Sequence, residues 1–189
     1  MPRRPMLAVI GDAGVKPGSI AYETALSVGR LAIDNGYRIV TGGLSGVMEA
    51  ASHGAHQSDR YHEGDTVGIL PHDNPQEASD WVDVVISTGM GHARNALVAN
   101  ADAVIVVGGG AGTLSEIAFA WTLRRLVIAI DIPGWGIKLA GAPLDKRVRY
   151  AELHDDKIYS ATDPDEALTL IEVHLPKYSA WGRSFKTRK

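Results

Sequence analysis

VVGGGAGTLSE, running from Val106 to Glu116, decides how the rest of the chain is read. Four glycines, Gly108, Gly109, Gly110 and Gly112, fall within five positions directly after the apolar run Ala103-Val104-Ile105-Val106-Val107. Glycine is unfavourable inside an element unless the backbone turns with φ > 0 or something must approach closely. A buried strand broken in this way, then followed by Thr113, Ser115 and Glu116, predicts a loop that feeds a helix. Such a loop offers unpaired N–H groups and the positive end of a helix dipole to an anion. The expectation is a phosphate cradle.

Outward from this stretch, short continuous apolar runs alternate with segments of helical spacing. Strands are expected at Met6–Ile10, Tyr37–Thr41, Thr66–Leu70, Val82–Ser87, Ala103–Val107 and Leu126–Ile130. Helices are expected at Ser19–Asn35, where Ala25, Val28, Leu31 and Ala32 share a face and Gly36 stops the helix, and at Gly46–Ala55, Ala93–Ala101 and Thr113–Leu123. Asp163-Pro164-Asp165-Glu166 pairs an N-cap residue with proline at the first helical position, which announces a last helix to about His174. Near-continuous apolar strands alternating with helices imply a parallel sheet between two helical layers, a single Rossmann-like α/β domain over residues 1–175. Residues 176–189 hold Lys177, Arg183, Lys186, Arg188 and Lys189 and no acid, and read as a solvated tail or a partner-contacting arm.

Composition narrows the function. A chain of 189 residues suits one domain, since splitting begins beyond ~250 residues. A formal charge of −3 speaks against a general nucleic-acid or membrane-surface binder. The absence of cysteine excludes disulfides, thiolate metal sites and cysteine nucleophiles. No apolar stretch approaches the ~20 residues that span a bilayer, and Met1-Pro2-Arg3-Arg4 runs into a strand without a signal-peptide core, so the expected compartment is the cytoplasm.

A second glycine-rich turn, Thr41-Gly42-Gly43-Leu44-Ser45-Gly46, also follows a strand. In an open parallel sheet both turns lie at the carboxyl ends of strands, where ligands collect. Either turn alone also serves helix packing; their convergence favours a site. Neither is a Walker loop, because no lysine follows. Gly110-x-Gly112 has Ser115 where a dinucleotide fingerprint needs its last glycine, which leaves a dinucleotide-dependent enzyme as a weak competitor even with Asp131 at the end of the next strand. His53 and His56, three apart on a helix face, lack a completing ligand, so no metal is expected. His92 stands two before Arg94 at a presumed strand end and is a candidate pocket residue. Ser45 and Ser115 lack a nucleophile-elbow context. Trp135, between Gly134 and Gly136, is a candidate for contact with a planar ring.

The run from Gly109 to Glu116 resembles the PGGxGTxxE signature of the Lonely Guy (LOG), or lysine-decarboxylase-like, superfamily. Gly42-Gly43-Leu44-Ser45-Gly46-Val47-Met48 is similar to its GGGxxGxM segment, and Arg94 to its arginine before the fifth strand. Gly108 replaces the proline of the signature, Asn95 the lysine of cytokinin-activating members, and Leu44 and Glu49 glycines of the first motif. Ile132-Pro133-Gly134-Trp135-Gly136 and Leu139 to Asp145 look like the branch that includes molybdenum cofactor carrier proteins. The resemblance implies that Gly109, Gly110, Gly112 and Thr113 hold a phosphate and that Gly42, Gly43 and Gly46 line the opposite wall. Arg94 would be a fixed cation and Glu116 would face the ribose or its equivalent. In hydrolytic members these two serve N-glycosidic cleavage of nucleoside 5′-monophosphates; in the carrier-like branch the role is binding. The implied ligand is a nucleoside monophosphate, phosphate or a molybdopterin-type molecule, with no cofactor required. The implied assembly is a homodimer or higher homo-oligomer, for which Phe119 and Trp121 are candidate interface residues.

Overall fold

The computed structural model describes residues 3–182. Seven strands form one sheet: β1 (Met6–Gly11), β2 (Arg38–Thr41), β3 (Thr66–Leu70), β4 (Val84–Ser87), β5 (Ala103–Val107), β6 (Leu126–Ile130) and β7 (Ile158–Ala161). The helices are α1 (Ile20–Asp34), α2 (Val47–His56), α3 (Asn95–Ala99), α4 (Ala111–Thr122), α5 (Trp135–Leu139) and α6 (Pro164–Gly182). All strand pairs are parallel, in the order β4-β3-β2-β1-β5-β6-β7. The expected Rossmann-like α/β architecture is the observed one.

Side chains alternate between two layers, as the strand period of two requires. Leu7, Val9, Ile39, Ile105 and Ile128 pack under α1, α2 and α6, while Ala8, Ile10, Val104, Val106 and Val127 pack under α3 and α4. The chain leaves β1 toward β2 on one side and returns through β5 on the other. A crevice therefore opens above the paired residues Gly11 and Val107.

Three expectations need correction. β7 and α5 were not foreseen, and the helix expected to close near His174 continues through Pro176 to Gly182. Proline removes one backbone donor from α6, but Leu175 and Tyr178 on either side of it are buried in the core and the Tyr178 hydroxyl donates to Asp156 at 2.6 Å. Core packing thus extends past residue 175, where the tail was expected to begin. Arg183, Lys186, Arg188 and Lys189 lie outside the described residues.

The irregular stretch before β7 is held by Arg149. Its guanidinium lies 3.5 Å from the centroid of the Trp121 ring, donates to both Asp156 carboxylate oxygens at 2.8 and 2.5 Å, and reaches the carbonyls of Trp121 and Arg125 at 3.1 Å. Both charged partners are buried. Arg149→Ala should therefore cost about 3–5 kcal/mol in chemical denaturation, because it strands the Asp156 carboxylate without its cation.

Candidate functional site

A cavity of about 560 Å³ fills the crevice at the carboxyl ends of β1, β2 and β5. Val9, Ile10 and Gly11 belong to its floor strand, and Gly42, Leu44 and Met48 come from the second glycine turn and α2. Pro71 and His72 follow β3; Gly91, His92, Arg94 and Asn95 precede and begin α3. Gly110, Gly112, Thr113 and Glu116 come from the start of α4.

The start of α4 is open. Its first intrahelical bond is Leu114 N–H to the Gly110 carbonyl at 2.9 Å, and no side chain caps it. The N–H groups of Ala111, Gly112 and Thr113 precede that bond and are the orphan donors of the helix N-terminus. A Cβ added at Gly110 or Gly112 would meet nothing within 4 Å, so both glycines adjoin empty space on the cavity side. The loop before them is anchored from behind. Backbone N–H groups of Trp135 and Gly136, at the start of α5, donate to the carbonyls of Gly109 and Gly108 at 3.0 and 3.3 Å.

Arg94 and Glu116 form a buried pair, each 7% exposed, with Arg94 Nη1 donating to Glu116 Oε1 at 3.2 Å. The Arg94 Nε is buried without a hydrogen-bond partner. Burial pushes the Glu116 carboxyl up to about 7 against the opposing pull of Arg94. It lowers the Arg94 guanidinium from its ordinary value, with Glu116 working the other way, and a guanidinium remains protonated in proteins. The cavity thus joins an uncapped helix N-terminus to a buried cation.

The chain belongs to the SLOG cluster4 family, matched over residues 4–168. A solved molybdenum cofactor binding protein from Rippkaea orientalis is 33% identical, with a TM-score of 0.74 over 90% of this chain and 97% of that one. The molybdenum cofactor carrier protein of Chlamydomonas reinhardtii is 27% identical, with a TM-score of 0.73 over 92% of this chain and 99% of that one. An uncharacterised protein of Archaeoglobus fulgidus is 42% identical over 113 residues, 59% of this chain and 72% of that one.

Set in the SLOG cluster4 fold, the remaining site candidates divide. Gly42 adjoins the cavity, and its missing Cβ admits Arg94, whose Nη2 would lie 2.4 Å from that atom. Gly43 and Gly46 do not line the cavity. Gly43 packs on Leu70 and Gly68, and Gly46 on the backbone of Asp12 and Ala13, both with positive φ. Gly109, also at positive φ, stands behind the cavity against the Thr113 side chain. His92 is in the lining, and so is His72, which no local pattern distinguished.

Other candidates are structural. Ser45 Oγ donates to the Ala13 carbonyl, and Ser115 Oγ to the Gly112 carbonyl while accepting from Asn95 Nδ2 at 2.8 Å. Asp131 is exposed outside the cavity, its N–H bonded to Ala161. Trp135 is also outside it, beside Lys138. His53 stacks on Trp81 and His56 on Tyr61, each at 4.0 Å, fastening the β3–β4 connection and the α2–β3 loop to α2. Among the described residues no group of three or more histidine or carboxylate side chains is arranged to hold a metal ion, and no helix is long and apolar enough to cross a membrane. Trp121 is 1% exposed and belongs to the core, which removes it as an interface residue; Phe119 is exposed.

Proposed function

We propose that this chain is a carrier-like binding protein for a phosphate-bearing nucleotide-like or pterin ligand. The observation that carries the reading is the uncapped N-terminus of α4 opening on the cavity that also holds Arg94 with its unpartnered Nε. The phosphate would accept from the N–H groups of Gly112 and Thr113 and from the Thr113 hydroxyl, while the apolar floor of Val9, Ile10 and Met48 covers a planar ring. The molybdenum cofactor proteins among the structural relatives support a pterin in that role.

A second reading, phosphoribohydrolysis of nucleoside 5′-monophosphates, is favoured by one observation. Glu116, poised near neutrality beside Arg94, suits a group that orients water or stabilises an oxocarbenium-like centre. Incubation with a panel of nucleoside monophosphates separates the two: a carrier retains the intact nucleotide, and a hydrolase releases free base.

The proposed assembly is a homodimer or higher homo-oligomer. Leu97 of α3, Phe119 of α4 and Leu123 at its C-cap leave exposed apolar surface on one helical layer. Sedimentation at micromolar concentration should give at least two chains. A lone 20.2 kDa species would contradict this.

A further inference from the structure

The cavity offers more donors than one phosphate uses. One set is the α4 N-terminus with Arg94. The other is contributed by two different segments, His72 after β3 and His92 before α3. His72 is not a free surface side chain. Its Nδ1 is engaged by the Glu77 carboxylate, from the single helical turn Pro75–Glu77. The carboxylate accepts from Nδ1–H and so fixes the imidazole; the ring serves an oxyanion as the imidazolium, in which Nε2–H is the remaining donor.

Two carboxylates also belong to the lining, and each already has a partner. Glu116 is committed to Arg94, and an Asp12 oxygen accepts from the Gly14 N–H at 2.7 Å, closing a turn in its own loop. The donors left for a ligand are therefore the α4 N–H groups, the Arg94 guanidinium, and the imidazolium forms of His72 and His92.

We infer that the ligand carries two separated anionic groups, one seated on the α4 N-terminus and a second recognised by His72, which Glu77 holds in place. This rests on the reading of the cavity as a phosphate-plus-ring site and names the class within it: a ring compound with a phosphate at one end and a second oxyanion at the other. His72 is then a specificity-determining residue, and Glu77 positions it. The second group is recognised without closing the mouth, since His72 is more than half exposed.

The test compares guanosine 5′-monophosphate with guanosine 3′,5′-bisphosphate by calorimetry, because guanine shares the 2-amino-4-oxopyrimidine ring of pterins. The wild type should bind the bisphosphate at least about tenfold more tightly, the worth of one charge-assisted hydrogen bond. His72→Asn should lower bisphosphate affinity about tenfold more than monophosphate affinity, and Glu77→Gln should act in the same direction more weakly. Thermal unfolding of both variants should match the wild type, since the two residues are exposed. Equal binding of both nucleotides by the wild type overturns the second anionic group and leaves the phosphate cradle standing. A preference that persists in His72→Asn overturns the role of His72. Binding of neither nucleotide overturns the cavity reading itself, and this inference with it.

Discussion

Gly112→Val is expected to lower affinity for a phosphate-bearing ligand by about a hundredfold or more, the loss of two charge-assisted hydrogen bonds, in a protein that still folds. A Cβ at Gly112 meets no protein atom within 4 Å, and its φ is not in the left-handed region. Valine is no worse than glycine inside a helix, so no backbone strain accompanies the change. In the cradle reading the branched side chain takes up cavity space at the first turn of α4, where the phosphate would sit. Gly109→Val is the informative contrast. With φ +95 and a Cβ position 2.4 Å from the Thr113 hydroxyl oxygen, it should damage folding as well as binding. Calorimetry beside thermal unfolding separates these outcomes. Undiminished affinity in folded Gly112→Val would reassign the glycines to packing.

The second large effect is a pH dependence centred on Glu116. Its carboxyl is raised to about 7 by burial, so between the unfolded value near 4.5 and about 7 the folded chain holds a proton that the unfolded chain has released. Stability from this group is fully present below about 4.5 and is lost as pH rises toward about 7, by on the order of 3 kcal/mol. Glu116→Gln should remove that loss and leave a protein more stable than the wild type at pH 8 and equal to it at low pH. Ligand binding should follow the same group. An anion beside Glu116 favours its neutral form, so affinity should fall by up to about tenfold per pH unit above about 7, with one proton taken up on binding. Calorimetry in buffers of different ionisation enthalpy reads that proton directly. A pH-independent affinity between 6 and 8.5 would show that the anion is seated away from the carboxyl. Should the chain release free base, Glu116→Gln should abolish the release.

Much of this architecture is legible in the chain because its inner strands are apolar on both faces. β3, β5 and β6 fall on the expected residues, and Ser19, Asn35 and Gly46 take the cap positions that their chemistry favours. β7 was missed because Ile158-Tyr159-Ser160-Ala161 is a short edge strand without a continuous apolar run, ordered through a sheet partner and the Arg149 network. α5 was hidden by its glycines and is a single turn resting on Val106 and Ala129 through Gly136. Pro176 masked the end of α6, because the tertiary anchor at Tyr178 has no local signature.

In the site, Arg94, Glu116, Gly110, Gly112 and Thr113 line one cavity. Gly43, Gly46 and Gly109 instead admit protein atoms, since a glycine reports close approach without saying what approaches. His72 carried one usable signal, its place just beyond the carboxyl end of a parallel strand.

Native mass spectrometry of the full chain, purified without denaturation and then equilibrated with guanosine 5′-monophosphate, tests the central claim most directly. The expected spectrum holds one phosphate-bearing molecule per chain, either retained through purification or acquired on addition, and loses it in Gly112→Val. A bare chain under both conditions, or the same adduct on Gly112→Val, would contradict a phosphate cradle at the start of α4.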